Sequence, residues 1–479
     1  MTSLDRFDHP LTGRYASDEM QRLFSTGNRY TTWRRLWLAL ASAESELGLE
    51  IPTEALEQML ANLEVTADDL ERVREYEKRT RHDVMAHLEA FADLAPAAKP
   101  ILHLGATSAY VGDNADLIIT RDALDLVITR VLAVVAALAA FAEKWADEPA
   151  LGMTHFQPAQ PTTVGKRACL WLQDFLLDLE RLRFERERLQ MRGVKGTTGT
   201  QATFLELFDG DHDKVRALDR RVAETLGFSA CYPVTGQTYP RKVDAFVIDA
   251  LSGVGQSAAK LATDIRLLAR LKELREPLAE GQVGSSAMPY KANPMRSERV
   301  TALSRWLISI AANPAQTAAS QWLERTLDDS ANRRLALPEA FLSTDAILRI
   351  VHNIADGLQV FPAMIARNLA EELPLMASEA ILMEAVRRGG DRQAVHERLR
   401  LHARAAATAV LEEGGANPFL ALVADDPEVA LDRSELDALL DPARFVGRAP
   451  QQVREFLAEH VQPILDEAGD LPEAKDLDV

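Results

Sequence analysis

Residues 116–145 read DLIITRDALDLVITRVLAVVAALAAFAEKW. The stretch holds neither proline nor glycine, and its apolar residues return every three or four positions, as on one face of a helix. A helix of thirty residues is about 45 Å long at about 1.5 Å per residue. Helices of that length are held mainly by packing against equals, so the stretch predicts a bundle. Its most apolar part, residues 131–142, lies between Arg130 and Glu143. That run is shorter than the about 20 residues a bilayer crossing needs, and it reads as a buried helix. Its alanines let neighbouring helices approach closely.

The same periodicity extends outward. Residues 164–191, 243–275 and 299–311 each predict a helix, with little strand-like alternation. In the first of these Leu172, Phe175, Leu176, Leu179 and Leu182 make one apolar stripe, and Glu180, Arg181, Glu185 and Arg188 lie opposite. Upstream, helices are expected over 32–47, 52–60, 66–75 and 82–94. Pro52 suits a first helical turn, and Thr66 with Asp69 has capping spacing. The chain therefore reads as all-α: an N-terminal helical domain (1–107), a central long-helix bundle (108–360) and a C-terminal domain of shorter helices (361–479). Wide apolar faces on the long helices suggest burial between subunits.

Composition narrows the function. The 479 residues include 54 Lys and Arg against 72 Asp and Glu, a formal charge of −18. With no extended basic stripe, nucleic acid is not an expected partner, although a local basic pocket can still hold an anion. Two cysteines, Cys169 and Cys231, without a CxxC pair fit a reducing compartment. The first residues, MTSLDRFDHPLTGRY, lack an apolar signal core. A cytoplasmic protein without membrane association is expected. No GxGxxG fingerprint and no metal-ligand spacing occurs, so neither cofactor nor metal is expected. The acidic run 208–213 resembles a calcium loop only loosely and reads as a solvated turn before a helix.

Chemistry is expected in the polar, Gly/Pro-rich segments between the long helices: 105–114, 152–163, 193–200, 233–240, 281–294 and 326–332. In 281–293, GQVGSSAMPYKAN, Ser285 can act as nucleophile or base, and Lys291 can hold a carboxylate; the bland reading is a linker. His155, after Thr154, suits acid–base work near neutrality, or is simply satisfied by backbone. In Arg81-His82-Asp83, the aspartate can cap a helix while His82 faces a ligand. His87, one turn on, lacks partners at metal-binding spacing. ERTLDDSANRR (324–334) gathers Arg325, Arg333 and Arg334 around Ser330, a set suited to phosphate or carboxylate or, with Asp328 and Asp329, to a surface ion-pair patch. Arg14-Tyr15, Thr107-Ser108 and Gln237 add smaller donor sets.

GSSAMPYKANP (284–294) resembles the signature of the fumarase/aspartase superfamily. TRHDVMAHL from Thr80, LGMTHFQPAQPTTVGKR from Leu151 and QWLERTLDDSANRR from Gln321 narrow the resemblance to the adenylosuccinate lyase family. GVKGTTGTQATF from Gly193 and TGQTYPRK from Thr235 fit as well, and the likeness runs from Arg14-Tyr15 to the FVGRAPQQV segment at Phe445.

The resemblance implies a three-domain subunit whose long helices join those of three other copies in a twenty-helix core, with each active site built from loops of three subunits in a homotetramer. It implies release of fumarate from adenylosuccinate, giving AMP, and from SAICAR, giving AICAR, both steps of purine synthesis. Ser285 would be the base that removes a proton beside a substrate carboxylate, and His155 the acid that protonates the departing nitrogen. His82 would position substrate or the acid, Lys291 and Asn293 would hold the succinyl part, and Glu298 would orient catalytic groups. Arg14, Tyr15, Arg325, Ser330 and Arg334 would meet the nucleotide or phosphate, and Arg81, Asp83, Thr107, Ser108, Thr154, Gln237 and Arg299 would add substrate contacts. The residue types suit this chemistry, since a substrate with two carboxylates and a phosphate needs cationic and amide donors, and the carbanion needs electrostatic stabilisation. A serine is a poor base unless its alkoxide is stabilised. Ala292 departs from the arginine that relatives often carry between the lysine and the asparagine. Argininosuccinate lyase, fumarase or aspartase activity is the nearest alternative, and an inactive helical scaffold the more distant one.

Overall fold

The computed structural model describes residues 5, 7–278, 281, 287–288 and 290–474. The N-terminal part holds α1 (Asp18–Leu23), α2 (Thr26–Glu46), α3 (Thr53–Ala61), α4 (Ala67–Thr80) and α5 (Asp83–Leu94). Local chemistry sets their starts. The Ser25 hydroxyl accepts from the Asn28 N–H at the head of α2. Thr66 and Asp69 form the reciprocal capping box their spacing predicts.

The stretch 116–145 falls in α6 (Ser108–Lys144), a helix of 37 residues that starts before the expected position. It packs against α2, α7 (Val164–Arg188) and α13 (Asp328–Gly357). Its apolar part extends beyond the twelve-residue run: an 18-residue window has a mean hydropathy of 2.2, long and apolar enough to cross a bilayer. In the fold its apolar face lies in the core instead, with Val127, Val131, Val134 and Val135 all fully buried. Each such side chain contributes about 1.5–3 kcal/mol through burial.

Between α7 and α10 (Lys242–Arg270) lie α8 (Ala202–Leu207) and α9 (His212–Thr225). Asp211 caps α9 by accepting from the Asp213 and Lys214 N–H groups, so the acidic run does precede a helix. α11 (Met295–Ile310), α12 (Ala312–Ala319) and α13 complete the bundle, in which α10 packs on α7, α11 and α13.

Two elements differ from the sequence expectation. Part of the expected loop at 152–163 is instead a β-hairpin of β1 (Pro149–Thr154) and β2 (Gln157–Thr163), with Thr154 opposite Gln157. The segment 326–332 is largely the first turn of α13, which continues through Pro338. A second short pairing joins β3 (Leu274–Arg275) to β4 (Gln359–Val360).

The chain ends in α14 (Pro362–Met376), α15 (Ser378–Arg387), α16 (Arg392–Leu411), α17 (Phe419–Ala424), α18 (Arg433–Leu439), α19 (Ala449–Phe456) and α20 (Gln462–Asp466). Residues from Ala377 to Leu439 share a core of their own. Ile365, Val453 and Val461 belong to the main core, and α19 packs back on α7. The main core thus continues past residue 361.

Candidate active site

A cleft of about 660 Å³ opens where the N-termini of α5, α6 and α13 meet. Arg81, His82, Asp83, Thr107, Ser108, Gln237, Arg325, Ser330 and Arg334 all line it. These residues are far apart in sequence, and the meeting of three helix starts brings most of them together; helix N-termini also leave backbone donors free for anions. Arg81 ends α4 in the left-handed region at φ 51°, which turns the chain into α5. His82 caps α5 and Thr107 occupies the N-cap position of α6. Ser330 and Arg334 stand one turn apart on α13.

Beneath the cleft lies a buried charge network. Arg241 donates to both oxygens of Asp113 at 3.0 and 3.1 Å and to Asp329 at 2.6 Å. Arg333 donates to Asp244 at 2.7 Å, to Asp116 at 2.9 Å and to the Tyr239 hydroxyl. Burial works against the charge of Asp113, but Arg241 and Arg333 outweigh it and hold the carboxyl below its usual range. Burial likewise opposes Arg333's charge, which Asp244, Tyr239 and Asp116 more than restore. Asp329 also accepts from Arg325 at 2.9 and 3.1 Å. Arg325 thus lines the cleft and is at the same time paired with the buried Asp329. Arg333, by contrast, serves mainly the buried network.

Arg29 is a cleft residue missing from the sequence reading; it lies 3.4 Å from Asp116. Its position in α2 gives no motif signal. His87 is part of the packing: it stacks on Tyr30 at 3.8 Å between ring centres and is pushed down to about 4, by burial first and then by Arg34.

Among the described residues, the other expected ones do not line this cleft. His155 sits at the exposed hairpin tip, beside Thr154. His155 and Phe156 have φ of 54° and 58°. Positive φ at both central residues is the signature of a type I′ turn, which normally takes Asn-Gly. Non-glycine residues there cost of order 1–3 kcal/mol each, a cost typical of functional sites. Gly152 is required by close approach: a Cβ would lie 2.3 Å from the Gln160 carbonyl oxygen.

A third group forms around residues 287–299. The Arg299 guanidinium lies 5.8 Å from the Tyr15 ring centre, and Arg14 lies 5.9 Å from it. Lys291 is exposed, and its N–H donates to the Met288 carbonyl at 3.0 Å. Asn293 precedes α11, and Glu298 is exposed in that helix's first turn. Ser285 lies outside the described residues. Glu276 ties this segment down: its carboxylate accepts from the Arg296 and Ser297 N–H groups at 2.8 and 2.9 Å, and from the Ser297 hydroxyl at 2.9 Å. It was not legible as a functional residue because the sequence offers only a lone glutamate before a proline.

A second cavity, of about 780 Å³, lies behind Arg241 and Arg325 and is walled by Val234, Phe246, Ala315 and Trp322. It is mainly apolar and holds no histidine, whereas the first cleft has His82 and a mainly polar lining.

A family model described as "Lyase" matches residues 13–307, and one described as "Adenylosuccinate lyase C-terminus" matches 374–456. The chain is 53% identical to an adenylosuccinate lyase of Saccharomyces cerevisiae and 50% identical to one of Schizosaccharomyces pombe, each over 466 residues and 97% of both chains. One from Schistosoma mansoni is 46% identical over 467 residues, covering 97% of both chains. Among solved structures, a 3-carboxy-cis,cis-muconate lactonizing enzyme from Pseudomonas putida superposes with a TM-score of 0.82 at 27% identity, covering 95% of this chain and 99% of the other. A fumarate lyase from Mesorhizobium superposes with a TM-score of 0.78 at 28% identity, covering 93% and 99%.

Proposed function

The chain belongs to the adenylosuccinate lyase family and is a carbon–nitrogen lyase acting on adenylosuccinate; on that premise we propose how its residues divide the work, and that SAICAR is a second substrate. Ser285 removes a proton from the carbon beside a succinyl carboxylate. Lys291 and Asn293 stabilise the resulting carbanion. The electron pair then forms the double bond of fumarate as the carbon–nitrogen bond breaks, and His155 protonates the departing nitrogen. AMP leaves from adenylosuccinate, and AICAR from SAICAR. Arg325, Ser330 and Arg334 hold the phosphate. Arg81, His82, Asp83, Thr107, Ser108 and Gln237 fix the remainder of the substrate, while Glu298, Arg14, Tyr15, Thr154 and Arg299 complete the surroundings.

The observation that carries this reading is the convergence of donors from distant segments on one cleft. The donors suit a ligand with several negative oxygens. His155 and Lys291 are exposed and do not line that cleft, which supports a site completed by neighbouring subunits. So does α7, where Leu170, Leu177 and Phe184, spaced by seven, are 48%, 58% and 49% exposed. A cytoplasmic homotetramer with shared sites accounts for both features.

The test follows the absorbance of adenylosuccinate and SAICAR while fumarate is measured directly. Wild-type protein is expected to release one fumarate per substrate. His155→Ala and Ser285→Ala are each expected to lower kcat at least about 100-fold with little change in KM. Near-full turnover by Ser285→Ala would remove that residue from its role. Fumarate from argininosuccinate but not from adenylosuccinate would overturn the substrate.

A further inference from the structure

We infer that His82 is a positioning residue, fixed as the Nε2–H tautomer, that acts through Ser108 and does not itself protonate the departing nitrogen. The inference rests on the reading of the cleft as the substrate site. It starts from the head of α5, where the Met85 N–H donates to His82 Nδ1 at 3.3 Å. His82 is thus the side-chain cap of that helix, with its backbone extended at φ −147° and ψ 117°. A nitrogen that accepts a hydrogen bond carries no proton, so the single proton of the neutral ring is on Nε2. Nε2 lies 3.4 Å from the Ser108 hydroxyl, in the first turn of α6. The Ser108 oxygen accepts there, and its own O–H is left to donate into the cleft.

The surroundings hold the ring in this role. Thr80 Oγ1 accepts from the His82 N–H at 3.3 Å and donates to the His82 carbonyl at 3.1 Å, pinning the backbone on both sides. Asp83 Oδ1 is 3.6 Å from Nδ1, farther than the Met85 nitrogen, and accepts from the Val84 N–H at 2.8 Å. Placing a proton on Nδ1 would break the cap and set N–H against N–H at the positive end of α5. Two hydrogen bonds thus link the Met85 N–H, the imidazole and Ser108, and a third from the Ser108 O–H to an anionic oxygen of the substrate would be polarised by them.

The test uses the full-length protein with adenylosuccinate and four variants. His82→Asn retains a capping acceptor but loses the reach to Ser108. Its thermal midpoint is expected to stay within about 2 °C of wild type, while kcat/KM falls about 10- to 100-fold. The double variant His82→Asn/Ser108→Ala is expected to lose no more than Ser108→Ala alone, because His82 works through that hydroxyl. The alkaline limb of the kcat–pH profile is expected to remain in His82→Asn. Disappearance of that limb would make His82 the acid and overturn the inference, as would losses that multiply in the double variant. His82→Gln places an amide donor farther out but gives up the cap, so it is expected to melt lower than His82→Asn yet keep more kcat/KM. Equal losses in both would also overturn the inference. Absence of fumarate release by wild-type protein would instead sink the reading of the cleft.

Discussion

Three arginines that line the cleft each have an aspartate neighbour: Arg29 with Asp116, Arg325 with Asp329, and Arg334 with Asp83 at 3.3 Å. Fixed guanidiniums lose little freedom when an anion arrives. Arg325 and Arg334 were legible because they crowd one short polar segment; Arg29 was not, because it is one charge within a long amphipathic helix. Away from the cleft, Glu44 is fully buried in α2, and among the described residues neither carboxylate oxygen has a hydrogen-bond partner. Burial pushes its carboxyl up to about 8. In the unfolded chain the group titrates near an ordinary glutamate, about 4.3. Its folded value is raised, so stability is fully present below the unfolded value and is lost as pH rises through about 8. The loss is on the order of a few kcal/mol. Glu44→Gln is therefore expected to melt close to wild type at about pH 4 and several degrees higher at about pH 8.5. A gap that stays constant across thermal melts at those two pH values would show that the carboxyl does not titrate in this way.

At the scale of elements, the hairpin and α13 explain the misreadings. The hairpin has Pro158 and Pro161 in its second strand and His-Phe in place of Asn-Gly at its turn, so both usual signals argued for a loop. The helix carries Pro338 in its interior and starts in the polar 326–332 segment, which disguised its length. The segment 290–297 is held differently: Glu276 is bonded to the first turn of α11. Bonds to a buried carboxylate are worth about 1.5–3 kcal/mol each. Glu276→Gln is expected to loosen the segment, so that trypsin cuts after Lys291 several-fold faster and kcat falls about 10-fold. Unchanged cleavage and turnover would show that the segment holds its shape without this tie.

At the scale of the whole molecule, the residues of the proposed reaction do not all meet within one chain. The cleft gathers arginine, hydroxyl and amide donors, while His155 at the hairpin tip and Lys291 and Glu298 near the head of α11 are exposed outside it. The exposed stripe of Leu170, Leu177 and Phe184 offers a surface for other copies to cover. Leu177→Asp/Phe184→Asp is expected to convert the assembly to smaller species by light scattering and to reduce turnover at least about 10-fold, since burying unpaired charges between helices is costly. An active monomer would overturn the shared-site arrangement.

The sequence by itself determined the helical class, the approximate positions of the long helices and the residue types of the candidate chemistry. Helical periodicity and capping are local properties, written within a few turns of chain. The 284–294 signature and its companion segments likewise carried the family. Only the tertiary structure decided which donors share a cleft, because that depends on where α5, α6 and α13 begin in space. It also showed that Arg333 serves the buried network, that Arg29 faces the cleft, and that His82 rather than Asp83 caps α5 while lining the cleft. Those outcomes depend on burial and on pairing across long sequence separations, which no local pattern encodes.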